Sequence, residues 1–165
     1  MAGSLAYQLR KGVQQVGTQV GTMSYRLVIL VGPRGCGKTH VLQELESQKG
    51  WPRISVNQVL SEQLLELTAR QRAVRLPSIL GEVVEAAGSD VVLLDNIEML
   101  FNPDFGQDPL RLLQRFARNR TIVAAWTGTG DGHCLSYAQP EHREWKKYDA
   151  PDALMVSAIG DSEER

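Results

Sequence analysis

The 165-residue chain has only two cysteines, Cys36 and Cys134, too few for a disulfide framework, and neither sits in a metal-ligand cluster. Its three histidines, His40, His133 and His142, likewise lack metal-ligand spacing. Purely aliphatic runs are short, Leu27 to Val31 and Val91 to Leu94. Neither approaches the roughly 20 apolar residues that span a bilayer. There is no surplus of either charge: 18 basic and 19 acidic residues leave a net charge of −1. A nucleic-acid binder acting through bulk charge would be clearly basic, so DNA contact is not indicated. The opening MAGSLAYQLRKG has no apolar core of a secretory signal, and the expected location is the cytoplasm. Repeats, low-complexity tracts and linkers are missing as well. What is left, 42% hydrophobic and 22% charged, is the mixture of one compact globular domain.

Charge is uneven along the chain. Residues 1–57 carry a net +5, residues 58–100 a net −4 and residues 101–165 a net −2. Leu5, Leu9, Val13, Val16 and Val20 recur at helical spacing, which predicts an amphipathic helix within residues 1–24, weakened by three glycines. From residue 25 to 157, apolar runs alternate with helical patterns. Strands are predicted at 26–31, 53–56, 91–95, 121–126 and 153–156. A helix is predicted over 38–48. Residues 58–87 read as mostly helical, with a break before Pro77 that places it in the first turn of a new helix. Asp108 followed by Pro109 marks another helix start. Residues 141–148 read as helix-like, and 158–165 as a polar tail. Strands that are apolar throughout and alternate with helices predict an α/β fold, a parallel sheet covered on both faces. Ligands of such sheets bind beyond the carboxyl ends of the strands.

That edge holds the strongest signal in the chain. Gly32-Pro33-Arg34-Gly35-Cys36-Gly37-Lys38-Thr39 satisfies G-x-x-x-x-G-K-[ST] between a predicted strand and a predicted helix. Glycines let the backbone curl so that successive N–H groups face one phosphate chain, and the helix that follows adds its positive end. Residues Gly32, Pro33, Arg34, Gly35, Cys36, Gly37, Lys38, Thr39 and His40 are therefore candidate nucleotide contacts. Lys38 is placed to meet the phosphates of ATP and the Thr39 hydroxyl to bind Mg²⁺. Asp95 closes the run VVLLD, where a second Mg²⁺ ligand belongs.

The residue after it departs from the usual pattern. Many ATPases of this kind carry a glutamate there to activate water, whereas Asn96 has no proton-accepting form. Glu98 is the candidate base if the chain turns back toward the nucleotide; the plainer reading is that it starts the next helix. Thr127 ends the fourth strand and is a candidate for sensing the terminal phosphate, or an ordinary strand-end threonine. Arg143 is the candidate arginine finger, against a plain solvated basic surface. Arg118 and Arg120 precede the fourth strand and belong at the far edge of the sheet. Arg111, Arg115 and Arg118 share one helical face, and Arg70, Arg72 and Arg75 form a third cluster; both read best as solvated.

A phosphate loop after the first strand, an acidic residue ending the third and a polar one ending the fourth resemble the ASCE division of P-loop NTPases, AAA+-like in outline. The resemblance implies a three-layer fold with strand order 5-1-4-3-2, and the chain leaves no room for the helical lid domain of that class. The stretches LVILVGPRGCGKT, VVLLDNIEMLF, PLRLLQRFARNRTIVAAW and LSYAQPEHREWKKY are similar to the BrxF family of small P-loop NTPases from type-3 BREX bacteriophage-defence systems. This resemblance spans about residues 25–157. It implies an ATPase that works with a large ATPase, a DNA methyltransferase, a helicase and an alkaline-phosphatase-like protein, and a chain this small is expected to self-assemble. Two other classes stay open. One is a nucleotide-dependent scaffold that does not hydrolyse ATP. The other is a small-molecule kinase, for which Asn57 stands where a substrate-binding acid might, and no arginine-rich lid is evident.

Overall fold

A computed structural model describes residues 4–18, 24–130, 133–138 and 142–158. The element order is α1 (Leu5–Thr18), β1 (Leu27–Gly32), α2 (Lys38–Lys49), β2 (Arg53–Ser55), α3 (Val56–Gln63), α4 (Ala69–Ala86) and β3 (Val91–Asp95). Two 3-10 turns (Glu98–Phe101 and Pro103–Phe105) lead to α5 (Pro109–Phe116) and β4 (Thr121–Thr127). The short strands β5 (Thr129–Gly130), β6 (Cys134–Tyr137) and β7 (Lys146–Asp149) then precede β8 (Leu154–Ser157). Val20 and residues 159–165, expected to end the first helix and to form a tail, lie outside the described residues.

The main sheet is wholly parallel, in the order β2-β3-β4-β1-β8. Counted as the five strands of the sequence pattern, this is the expected 5-1-4-3-2. Every residue of β1 and β3 is buried, as strands covered on both faces require. Alternate side chains feed two cores. Val28, Leu30, Leu93 and Val123 meet Leu9, Val16, Leu42 and Leu45 of α1 and α2. Leu27, Ile29, Leu94, Ile122 and Trp126 meet α3, α4 and α5 on the opposite face. The result is three layers, with β1, β3 and β4 ending along one edge.

Two expectations are corrected. Pro77 does not start a helix; it lies inside α4, which Thr68 and Gln71 open with a reciprocal capping box. Proline there removes one helical N–H and leaves the Ala73 carbonyl without its usual donor. Gln107, 34 residues along the chain, supplies the replacement: its Nε2 donates to Ala73 O at 2.8 Å. A tertiary hydrogen bond repairs what local sequence would break. The second correction concerns residues 141–148. Residues 142–144 form a turn and bend, Lys146–Asp149 is a strand, and Glu141 lies outside the described residues. β7 pairs antiparallel with β6, which pairs with β5, so a three-stranded sheet follows β4 directly. Its Leu135 and Tyr137 are buried and Tyr148 packs beside them, while Lys147 and Asp149 point to solvent, a period-2 alternation that helical spacing cannot provide.

Aromatic packing fastens the small sheet to the large one. Phe101 stacks on Tyr137 with centroids 3.7 Å apart and meets Trp126 edge-on at 4.9 Å. Trp126 Nε1 donates to Ser136 O at 3.0 Å. Tyr148 Oη donates to Asp108 Oδ1 at 2.8 Å, tying β7 to the cap of α5. Burial and that carboxylate both push the Tyr148 phenol well above its ordinary range.

The repair of α4 is open to test. Gln107→Ala leaves the Ala73 carbonyl unpaired and should lower stability by about 1–2 kcal/mol in urea unfolding. Pro77→Ala combined with Gln107→Ala should recover most of that loss, because alanine in place of the proline restores the local donor; a loss equal to that of the single variant would contradict the account.

Candidate functional site

The loop joining β1 to α2 runs through left-handed backbone at Gly35 (φ 80°) and Gly37 (φ 95°). A Cβ at either position would meet nothing within 4 Å, so the loop is an open cradle whose shape, not its packing, requires glycine. Gly37 is also the N-cap of α2 and offers no side chain, which leaves the first helical N–H groups for an outside anion. Lys38 is buried, with its ammonium folded back over the loop: Nζ donates to Gly32 O at 2.9 Å and to Pro33 O at 2.8 Å. Cys36 Sγ lies 3.7 Å from the same nitrogen, and Cys36 N–H donates to Pro33 O. Arg34 is exposed at the rim and His40 on the first turn of α2.

Asp95 is the charged group at the centre. Only 2% exposed, it ends β3, and Thr39 Oγ1 donates to its Oδ1 at 3.1 Å. The Asn96 N–H donates to the same oxygen at 2.9 Å. Arg53 Nη1 donates to Oδ2 at 3.4 Å, and Arg53 Nε reaches Glu46 Oε1 at 3.3 Å. Nothing in the sequence pattern marks Arg53 as part of the site. The only trace it leaves is a basic residue at the head of β2, two positions before the Ser55 that pairs in register with Asp95.

Asn96 stands at φ 52°, a conformation that asparagine tolerates better than most residues. Its amide Nδ2 donates to Ser55 Oγ at 3.0 Å and its carbonyl accepts from Asn57 N–H at 2.9 Å. The side chain is committed to β2. The left-handed turn sends Ile97 into the core and brings Glu98, the first residue of a 3-10 turn, to the wall of the cavity. Asn57 Oδ1 accepts from Met99 N–H at 3.0 Å and pins that turn, a structural use rather than a substrate contact.

Lys38, Thr39, Asp95, Glu98 and Thr127 together border a cavity of about 410 Å³. Thr127 reaches it because β4 runs in register with β1, Thr127 beside Gly32. Burial, then the nearby Asp95 charge, raise the Glu98 carboxyl above its ordinary range, while Lys38 and Arg34 pull it down. Arg143 stands apart from this group. It lies in the turn before β7 and pairs with Asp104 at 3.2 Å, both partners exposed. Arg118 sits over the Tyr25 ring and Arg120 donates to Val84 O, both structural contacts. Arg72 donates to Leu65 O and Leu67 O, and Arg111 pairs with Asp108.

The family model described as "ATPase family associated with various cellular activities (AAA)" matches residues 28–126, from the first strand to the end of the fourth. The chain belongs to the AAA ATPase family. No curated protein matches its sequence. As an AAA domain it is a nucleotide-binding P-loop ATPase, and the residues present suit ATP: an open glycine cradle, a buried ammonium, and a hydroxyl already bonded to a carboxylate. Among the described residues no helix is long and apolar enough to cross a membrane.

The Asn96 turn yields a prediction. Asn96→Ala loses the Ser55 bond and forces alanine into left-handed backbone, so it should cost about 2 kcal/mol and lower Tm by about 4–8 °C. Asn96→Gly keeps the turn and should lose clearly less in the same thermal scan.

Proposed function

We propose that this AAA chain binds Mg²⁺-ATP and hydrolyses it to drive assembly or remodelling in a prokaryotic phage-defence system of the BREX type. The observation that carries the reading is the Thr39–Asp95 pair, formed at 3.1 Å beside the cradle and faced by Glu98. Thr39 and Asp95 would hold the metal, which when bound neutralises phosphate charge. Lys38 gives two donors to loop carbonyls and meets Cys36 Sγ at 3.7 Å, a weak contact that phosphate oxygens would displace. Loop N–H groups and the start of α2 add further donors.

Glu98 serves as the base. Its carboxylate Oε accepts a proton from water, a task for which a raised pKa is an advantage because it makes the carboxylate a better acceptor near neutral pH. Thr127, at the end of β4, orients that water or the terminal phosphate. Arg143 acts in trans as a finger: its exposed pair with Asp104 is worth less than about 1 kcal/mol, so phosphates of a neighbouring copy can compete for it. The BREX assignment is supported by the sequence similarity to the BrxF family over about residues 25–157, and with it come the partners: the large ATPase, DNA methyltransferase, helicase and alkaline-phosphatase-like protein, along with further copies of the chain itself. The competing reading, a scaffold that binds ATP without hydrolysis, draws on Asn96, whose amide is bonded to Ser55 and has no proton-accepting form.

The test measures ATP affinity and phosphate release for wild type, Lys38→Ala and Glu98→Gln. Lys38→Ala should weaken ATP at least tenfold. Glu98→Gln should keep wild-type ATP affinity and lose phosphate release by about 10²-fold or more; unchanged release would remove Glu98 as the base, and wild type that binds ATP without release would establish the scaffold. Stability supplies an independent check. A carboxyl whose folded pKa is raised favours the neutral form, so the fold loses stability as pH rises through that value. Nucleotide-free Glu98→Gln should therefore be at least as stable as wild type at pH 7, with the difference closing as pH falls below the ordinary glutamate range.

A further inference from the structure

The small sheet after β4 encloses a second cavity, of about 820 Å³, that shares Arg34 and Thr127 with the phosphate cavity. One wall is a polar row. Thr129, Ser136 and Lys147 stand side by side in register across β5, β6 and β7, and the two hydroxyls are 2.6 Å apart. The other face of that sheet is spent on the core through Leu135 and Tyr148. At the rim stands Trp145, 39% exposed. Its turn is held firmly: Trp145 N–H donates to His142 O at 3.0 Å and Glu144 N–H to His142 Nδ1 at 3.1 Å. Two cations, Arg34 and Lys147, and one acid, Glu144, face the space. Among the described residues Arg34 forms no ion pair, and Lys147 has only a 4.0 Å contact with Asp149.

An exposed indole, two weakly engaged cations and a row of hydroxyls in one cavity match a ligand with a flat ring, an anionic group and polar edges. We propose that this cavity is a second ligand site, for a nucleoside phosphate taken either free or as one unit of a single strand. Trp145 stacks on the base, Lys147 and Arg34 meet the phosphate, and Thr129 and Ser136 bond the base edge or sugar. Inorganic phosphate alone would leave the indole and most of the volume unused. An apolar ligand would take water from the charged ends of Arg34 and Lys147 and offer nothing in exchange. The volume lies within the range of small-molecule sites. The proposal goes beyond the ATPase reading and does not rest on it.

Calorimetric titration of the full chain with AMP and, separately, with a ten-residue oligothymidylate tests the site. Trp145→Ala and Lys147→Ala both lie outside the ATP-binding residues and should unfold at the wild-type temperature. At least one probe should bind wild type saturably, and each variant should weaken it by about tenfold or more. Lys38→Ala should bind that probe as wild type does, whether or not ATP is hydrolysed at the first site. AMP binding alone marks a free nucleotide as the ligand, and tighter binding of the oligonucleotide marks a strand. Saturable binding of neither probe, or binding that Lys38→Ala abolishes and Lys147→Ala leaves intact, would overturn the proposal.

Discussion

A carboxylate withdrawn from water has to be compensated, and the Asp95 side chain is almost completely withdrawn. Its compensation is the junction of the fold. Thr39 brings the first turn of α2, Arg53 brings β2, and the Asn96 N–H brings the chain's own next turn. Through Glu46, Arg53 also fastens the body of α2 to the edge strand. Removing one partner of such a pair leaves a charge buried and costs more than the contact itself is worth. Helix, edge strand and central strand are thus held in one arrangement by the group that faces the phosphate loop, so the geometry of the site and the geometry of the sheet edge are set together.

The turn that follows shows what the site costs. Asn96 adopts left-handed backbone, gives its side chain to Ser55, and in doing so carries Glu98 back to the cavity, where burial and Asp95 oppose its ionisation. Each of these local penalties is set against packing elsewhere, notably Ile97, Leu100 and Phe101, which follow the same turn into the core. Strained backbone and a poorly solvated acid at one edge are what a site preorganised for charge requires. The small sheet extends the pattern: Trp126, Phe101 and Tyr137 anchor it beside β4, and Arg34 and Thr127 then belong to two cavities at once.

Much of this was legible in the sequence, for identifiable reasons. Parallel strands buried on both faces are written as unbroken apolar runs, so LVILV and VVLLD announced β1 and β3, and the glycine loop between strand and helix announced the cradle. What escaped was written in long-range contacts. The helix through Pro77 depends on Gln107, and the strand Lys146–Asp149 is short, charged and defined by its partner in β6. Arg53 looked like any basic residue before a strand; only the parallel pairing of β2 with β3 brings it to Asp95. Asn96 was visible as a departure from the usual acid, but its left-handed turn, and with it the return of Glu98, is a property of backbone geometry that spacing does not encode.

The central claim is that Asp95, held by Thr39 and Arg53, is where the metal acts on the bound nucleotide. The most direct measurement is ATP affinity with and without Mg²⁺ in wild type and Asp95→Asn. Mg²⁺ should tighten ATP in wild type and do so no longer in Asp95→Asn, while metal-free ATP binds the variant at least as tightly, since a negative charge near the phosphates has gone. Equal tightening by Mg²⁺ in both proteins would contradict the account.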